Sequence, residues 1–260
     1  MTKPICIGII GNYYGHASGA ENIEEHPLPN GIFVIHQQDA ETLTSERVAI
    51  YPSEGSDVDI EPEFVVRCKV IYERGRVVDL VPQAMTIGND YTIRTLEGAT
   101  KISDRKAWGS RSKGINHSWW KESSFIDENC AENINIVSYI ERNGKIHCAT
   151  PIASCANTKL FNVELIRWVV NKINNQQDEG IYEQILPEFE KSGMPDELLL
   201  YTGAPSYSAW GEDNFIQRGD RVHIMAYCSD VWQSEQIEML ATNNVRVNGS
   251  TVLTFSQEII

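Results

Sequence analysis

Between Asp57 and Ile71 the chain alternates acidic and apolar residues in a way that could place several carboxylates on one surface. Pro62, Phe64, Val66, Cys68 and Val70 fall on one parity; Asp57, Asp59, Glu61, Glu63, Val65, Arg67 and Lys69 fall on the other. In an extended chain, side chains two residues apart share a face. The stretch therefore reads as a strand that buries one side and carries a ladder of carboxylates on the other. Like charges held so close repel and raise one another's pKa unless a cation sits between them. Hard divalent cations favour such all-oxygen sites, and Mg2+ keeps coordination positions open or filled by water. A second segment has the same character: Met85, Ile87, Asn89, Tyr91 and Ile93 point one way, and Gly88, Asp90, Thr92 and Arg94 the other. If the two polar faces meet, Asp90 completes a three-carboxylate site with Glu61 and Glu63, and Arg94 lies near an anionic ligand. By itself the pattern is weak, because an E-x-E on a strand in an acidic chain is ordinarily solvated surface, as is a lone arginine.

These residues need strands to position them, and strand-like segments dominate the chain. Residues 61–72 and 77–93 read as strands around a turn at Arg74-Gly75. Residues 134–140 and 145–149 read as a hairpin across Asn143-Gly144, a favoured turn pair. Shorter candidates are 31–36, 46–52, 197–202, 221–228, 235–241 and 251–255. Two segments look helical. Thr158 could cap a helix whose apolar positions Leu160, Val163, Ile166, Val169, Val170 and Ile173 recur every three or four residues. A weaker one spans about 179–190, with Pro187 expected to break or kink it, inside an acid-rich stretch, 178–197, expected to be a solvated excursion. The fold class is therefore α+β and mainly β. With no internal repeat or long linker, one domain over 1–260 is expected.

The 260 residues are 42% hydrophobic and 22% charged, with a formal charge of -14, a composition ordinary for a soluble globular chain. Nucleic acid is excluded as a partner, since its phosphates need a basic footprint. No apolar run approaches the roughly 18 residues of a membrane span, and the short run from Ile5 to Ile10 reads as a buried first strand rather than a leader. Six scattered cysteines without a C-x-x-C pair fit reduced thiols in a cytoplasm and give no zinc signature.

Several short motifs, in order along residues 6–228, resemble the fumarylacetoacetate hydrolase (FAH) superfamily. Glu61-Pro62-Glu63-Phe64-Val65-Val66 resembles its E-x-E-apolar run, and Asn89-Asp90-Tyr91-Thr92-Ile93-Arg94 its N-D-x-S/T-x-R segment. Trp108 to Lys113 is similar to the tryptophan-then-lysine stretch that follows. Tyr201-Thr202-Gly203-Ala204-Pro205 and Arg218-Gly219-Asp220-Arg221-Val222 resemble T-G-T-P and P-G-D-x-V, and Gly11 to Ala17 resembles N-Y-x-x-H-A. Each piece is weak; the ordered set is specific.

The resemblance implies an FAH-type mixed β-sandwich or roll with few helices, assembled as a homodimer. It implies Mg2+ or Mn2+ held by Glu61, Glu63 and Asp90, with Lys113 as the active-site lysine. His16, paired with an acid, would act on water or a proton from a mobile lid over residues 11–26, and Glu21 is the expected partner. Tyr13, Arg94 and Thr202 would contact a small keto-acid substrate. Family chemistry runs through a metal-chelated enolate, and the reaction expected here is C–C bond hydrolysis of an acylpyruvate-like compound. A 2-oxo-acid decarboxylase or a keto–enol tautomerase is the alternative. A non-catalytic small-acid-binding or interaction protein is a third reading, disfavoured because all three ligands and the lysine are present.

Departures mark a divergent branch. The Glu usual three residues after the histidine is Gly19 here, with Glu21, Glu24 and Glu25 as possible substitutes. Ala204 replaces the second Thr of T-G-T-P, and Gly114-Ile115-Asn116 follows the lysine where many members have an F-D pair.

Overall fold

Two hairpins organise the molecule, and both close where the sequence places their turns. A two-residue turn whose central residues both have positive φ matches the right-handed twist of the strands it joins. Arg74 and Gly75 have φ of 50° and 77°, and Asn143 and Gly144 have φ of 54° and 73°. The computed structural model describes residues 3–15, 26–53, 55–121 and 131–260. Its strands are β1 (Ile5–Ile10), β2 (Gly31–Val34), β3 (Leu43–Thr44), β4 (Val48–Ala49), β5 (Val58–Asp59), β6 (Pro62–Glu73), β7 (Arg76–Asn89), β8 (Thr92–Ile93), β9 (Lys113–Ile115), β10 (Trp120–Lys121), β11 (Ile134–Arg142), β12 (Lys145–Ser154), β13 (Glu197–Tyr201), β14 (Arg221–Cys228), β15 (Asn248–Gly249) and β16 (Val252–Ile259).

The larger sheet runs β2-β1-β13-β6-β7-β9-β3, with β10 also on β7. The smaller runs β12-β11-β14-β16-β15, with β4 also on β16, and β5 and β8 pair separately. Pairing is antiparallel except for β1 with β13, β3 with β9 and β4 with β16. The two sheets share one core: Phe64, Val66, Cys68 and Ile87 from the larger meet Ile136, Ile140, Ile224 and Phe255 from the smaller. The alternation read along 62–70 is thus real, since Val65 packs on the other face with Cys6, Phe33 and Tyr201. The fold is α+β and mainly β, as expected. Among the described residues no helix is long and apolar enough to cross a membrane.

Helices cover the sheets. Helix α1 (Asn162–Asn175) buries Leu165, Ile166, Val169 and Ile173 in the shared core, each worth roughly 1.5–3 kcal/mol of apolar burial. It starts later than the sequence suggests: Thr158 donates its hydroxyl to the Cys155 carbonyl at 2.7 Å in the preceding turn and does not cap α1, and Val163 is exposed. Helix α2 (Leu186–Lys191) is shorter than expected, and Pro187 opens it instead of breaking it, because a first-turn N–H has no intrahelical acceptor to lose. Nor is 178–197 a solvated excursion, since Ile185 and Phe189 are fully buried. A short helix, α3 (Ala209–Glu212), packs on β12.

Residues 235–241 are not a strand. They lie in helix α4 (Ser234–Thr242), with reciprocal bonds between Gln233 and Gln236 at its start. Ile237 and Ala241, four apart, are buried against the outer face of the smaller sheet while Met239 is exposed. The helical period won over a local polar–apolar alternation that mimics a strand.

Candidate active site

The register of the β6–β7 hairpin assembles the carboxylates. Pro62 pairs with Asn89 and Glu63 with Gly88 at the open end of the hairpin. Just beyond, the Asp90 N–H donates to the Glu61 carbonyl at 2.9 Å, and the Glu61 N–H donates to Asn89 Oδ1 at 3.0 Å. Glu61, Glu63 and Asp90 are 4%, 2% and 0% exposed, and one oxygen of each lies within 4.8 Å of the others. Strand β9 docks on the same end, pairing Asn89 with Gly114. Gly88 permits that approach, because a Cβ there would meet the Gly114 carbonyl oxygen at 2.6 Å and the Tyr201 ring at 2.8 Å. Lys113, one step along β9, therefore lands beside Asp90, with Nζ 2.7 Å from Oδ1, and donates as well to the Tyr91 carbonyl.

Two further cations hold the other oxygens. Arg94 reaches Asp59 Oδ2 at 2.6 Å and Glu61 Oε1 at 2.7 Å, and donates to the Tyr207 hydroxyl at 3.0 Å, which itself donates to the Ile60 carbonyl. Lys106 follows the 3-10 turn Ile102–Arg105. Its Nζ is 2.6 Å from Glu61 Oε2, 2.8 Å from Asp90 Oδ2 and 2.7 Å from the Thr92 hydroxyl. Glu63 is treated differently: Oε2 accepts the Gly203 N–H at 2.6 Å, and no described lysine or arginine makes an ion pair with it. Burial, then the neighbouring charges of Asp90 and Glu61, push its carboxyl well above the usual range.

The two lysines diverge for the same reasons. Burial pushes the Lys113 ammonium down to about 8, with Lys106 adding to the effect and Asp90 opposing it. Burial works against Lys106 too, but Asp90 and Glu61 together outweigh it and leave its pKa raised.

The amino-terminal motif reaches the same place. Asn12 donates to the Thr202 carbonyl at 2.8 Å and exchanges bonds with the Leu160 backbone. It thereby pins the start of the motif to the 201–203 segment, where Gly203 takes a φ of 98°. Tyr13 follows, 3% exposed, and its hydroxyl has no hydrogen-bond partner among the described residues. Burial, then Cys155 and Glu63, raise its phenol well above the ordinary value.

Of the residues singled out from the sequence, the structure brings Glu61, Glu63, Asp90, Arg94 and Lys113 into one cluster and sets Tyr13 beside it. Thr202 spends its hydroxyl on the Phe64 carbonyl at 3.1 Å, so it braces the backbone next to Glu63. His16, Glu21, Glu24 and Glu25 lie outside the described residues. Sequence reasoning missed Lys106, Asp59 as the partner of Arg94, Tyr207 and the Gly203 N–H. Asp59 shared the predicted acidic face and could have been matched with Arg94, whereas Lys106 sits in an aperiodic turn that offers no such signal.

No curated protein sequence matches the chain. Similar solved structures include Cg1458 with inhibitor, at 16% identity and a TM-score of 0.63, covering 100% of this chain and 78% of that one. A protein from Yersinia pestis CO92, assigned to the fumarylacetoacetate hydrolase family, is 16% identical at a TM-score of 0.55 and covers 100% and 94%. A 2-keto-3-deoxy-D-arabinonate dehydratase, complexed with magnesium and 2,5-dioxopentanoate, is 14% identical at a TM-score of 0.57 and covers 100% and 73%. Residues 21–259 match a family of unknown function, DUF5718. The chain belongs to that family, and its fold is the one seen in fumarylacetoacetate hydrolase-type proteins.

Proposed function

We propose that the protein is a divalent-metal-dependent enzyme acting on a small 2-oxo acid or 1,3-dicarbonyl compound, and that its reaction is hydrolysis of a C–C bond in an acylpyruvate-like substrate. The observation that carries this reading is the buried set of Glu61, Glu63 and Asp90 with Lys113 held against Asp90. Three carboxylates are a donor set suited to Mg2+ or Mn2+. The burial of Glu63 beside two other carboxylates is what a bound cation would relieve, and the magnesium in one similar structure supports the same choice. Bound there, the ion would supply Lewis acidity toward two oxygens of a chelating substrate.

The chain's own residues supply the rest. Lys113 places positive charge where a substrate oxygen gains negative charge during reaction. Tyr13, whose hydroxyl has no partner among the described residues and whose phenol feels the charge of Glu63, would offer a hydrogen bond to a substrate oxygen. Arg94, fixed by Asp59 and Glu61, contributes a positive wall for an anionic group. His16, with Glu21, would activate water for hydrolysis. A homodimer is part of the proposal, to be checked by light scattering at micromolar concentration.

A second reading, decarboxylation or keto–enol tautomerisation, draws on Lys113, whose pKa of about 8 suits a group that gives and takes a proton near neutral pH. It also draws on Gly19, which stands where the partner acid of the histidine is usual. A panel of acylpyruvates and oxaloacetate, assayed with Mg2+ and with a chelator, separates the two. Metal-dependent release of two acids from an acylpyruvate is expected. CO2 release from oxaloacetate without acylpyruvate cleavage would establish the second reading instead, and a metal-loaded protein inert on the whole panel would favour a binding role.

A further inference from the structure

The Lys106 ammonium makes three close polar contacts, and two of the three are to metal-ligand candidates. Nζ contacts Glu61 Oε2, Asp90 Oδ2 and the Thr92 hydroxyl at 2.6–2.8 Å, and it lies 4.8 Å from the centre of the Phe33 ring. The side chain is 6% exposed, so this ammonium has little water to turn to. A divalent ion ligated to those same two oxygens at about 2.1 Å would stand no more than about 5 Å from Nζ, in a buried region where like charges repel strongly.

Charge sharpens the conflict. Asp59, Glu61, Glu63 and Asp90 face Arg94, Lys106 and Lys113. With all four carboxylates ionised, as metal ligation requires of Glu61, Glu63 and Asp90, the three cations leave one negative charge. A divalent ion therefore makes the cluster net positive, and one monovalent carboxylate restores neutrality.

We propose that Lys106 is a resident counter-cation that couples metal binding to the binding of the substrate's carboxylate. Without the anion, the ammonium competes with the metal for Glu61 and Asp90. When both ligands enter, it leaves those oxygens and pairs with the incoming carboxylate. Such linkage is reciprocal: the anion tightens the metal, and the metal tightens the anion by the same factor. The inference rests on the metal reading above and adds to it an order of assembly and a preference for substrates bearing a carboxylate.

The test is calorimetric titration of the full-length protein with Mn2+, with and without saturating pyruvate as the probe anion. In the unmodified protein, pyruvate should tighten Mn2+ about tenfold, within the usual range of coupling between sites. Lys106→Met keeps the apolar stem and removes the charge. It should bind Mn2+ alone about tenfold tighter than the unmodified protein, with most of the pyruvate effect gone. Thr92→Val guards against a misfolded Met variant. It removes one acceptor of the ammonium without touching a ligand, and should shift Mn2+ affinity the same way by a smaller factor. Unchanged Mn2+ affinity in both variants, or a pyruvate effect that survives in Lys106→Met, overturns the coupling while leaving the metal reading in place. If neither the unmodified protein nor Lys106→Met binds Mn2+ at millimolar concentration, the metal reading itself fails, and the coupling with it.

Discussion

Two of the ionic clusters among the described residues are built on opposite plans. Under the smaller sheet, Arg142 meets Asp220 through two parallel bonds, Nε to Oδ1 at 2.9 Å and Nη2 to Oδ2 at 2.7 Å. The remaining capacity of the pair is spent locally: Arg142 also donates to the Phe215 carbonyl and lies over the Trp210 ring, and Asp220 accepts the Gln217 N–H. One cation answers one anion, and nothing is left over. At the open end of the β6–β7 hairpin, four carboxylates share three cations, and among the described residues Glu63 receives only a backbone N–H. A bidentate pair with its remaining donors and acceptors filled holds a structure together. A cluster left with unmatched charge is a candidate site for a bound ion or substrate.

The comparison can be broken from either side, beginning where the effect is largest. Glu63→Ala should abolish Mn2+ binding by calorimetry and turnover with it, yet leave the thermal midpoint of the metal-free protein unchanged or higher, because it deletes a buried group with no ionic partner among the described residues. A large fall in that midpoint would mean that the carboxylate is structural after all. Lys113→Ala is the next test. Metal should still bind, while turnover on the true substrate falls about 10²-fold, the scale of losing one oxyanion-stabilising group; full activity would show that the stretch from Trp108 to Lys113 is misread.

Asp220→Ala should do the reverse of Glu63→Ala. Stranding Arg142 is expected to destabilise the fold by about 3 kcal/mol in denaturant titration, with Mn2+ affinity intact. The smallest effect concerns His223, buried in the smaller sheet with Nδ1 2.9 Å from the Ser256 hydroxyl. Burial pushes this imidazole down to about 4. Its pKa in the fold is below that of the unfolded chain, so its contribution is complete above about 6.5 and is lost as pH falls through about 4. His223→Asn should therefore flatten the dependence of the thermal midpoint on pH between those values, and an unaltered acid limb would show that the histidine does not govern it.

How much of the site could be read from the residues depends on what sets each position. The pairing of Glu61 and Glu63 needs only the two-residue period of a strand, and it was legible. Placing Asp90 beside them was legible for a less direct reason. A regular hairpin closed at Glu73 and Arg76 would set Pro62 opposite Ile87, yet the observed partner is Asn89, because β7 carries extra residues at Val78 and Gln83. One such bulge would have turned Asp90 to the wrong face; two restore the parity. Lys106 could not be found this way. Its position follows from how the segment after Arg94 docks on the hairpin, a long-range matter that local periodicity does not encode. Helix α4 was misread because four residues of alternating polarity, Gln236 to Met239, look alike in either period, and the burial of Ile237 and Ala241 decides between them.

The long hairpin also has a kinetic consequence. Its contacts are local near Arg74-Gly75 and grow more distant in sequence toward Glu61 and Asp90, so assembly is expected to start at the turn and close toward the site. The carboxylates then converge late, shortly before β9 and the Lys106 turn arrive to neutralise them. Mutual repulsion at the ligand end is in that case met after the main barrier has been crossed, and it weighs on the rate of unfolding more than on the rate of folding. Stopped-flow rates for Glu63→Ala would show the effect as slower unfolding with little change in refolding. A protein arranged in this order can carry an unbalanced, reactive cluster without slowing its own folding.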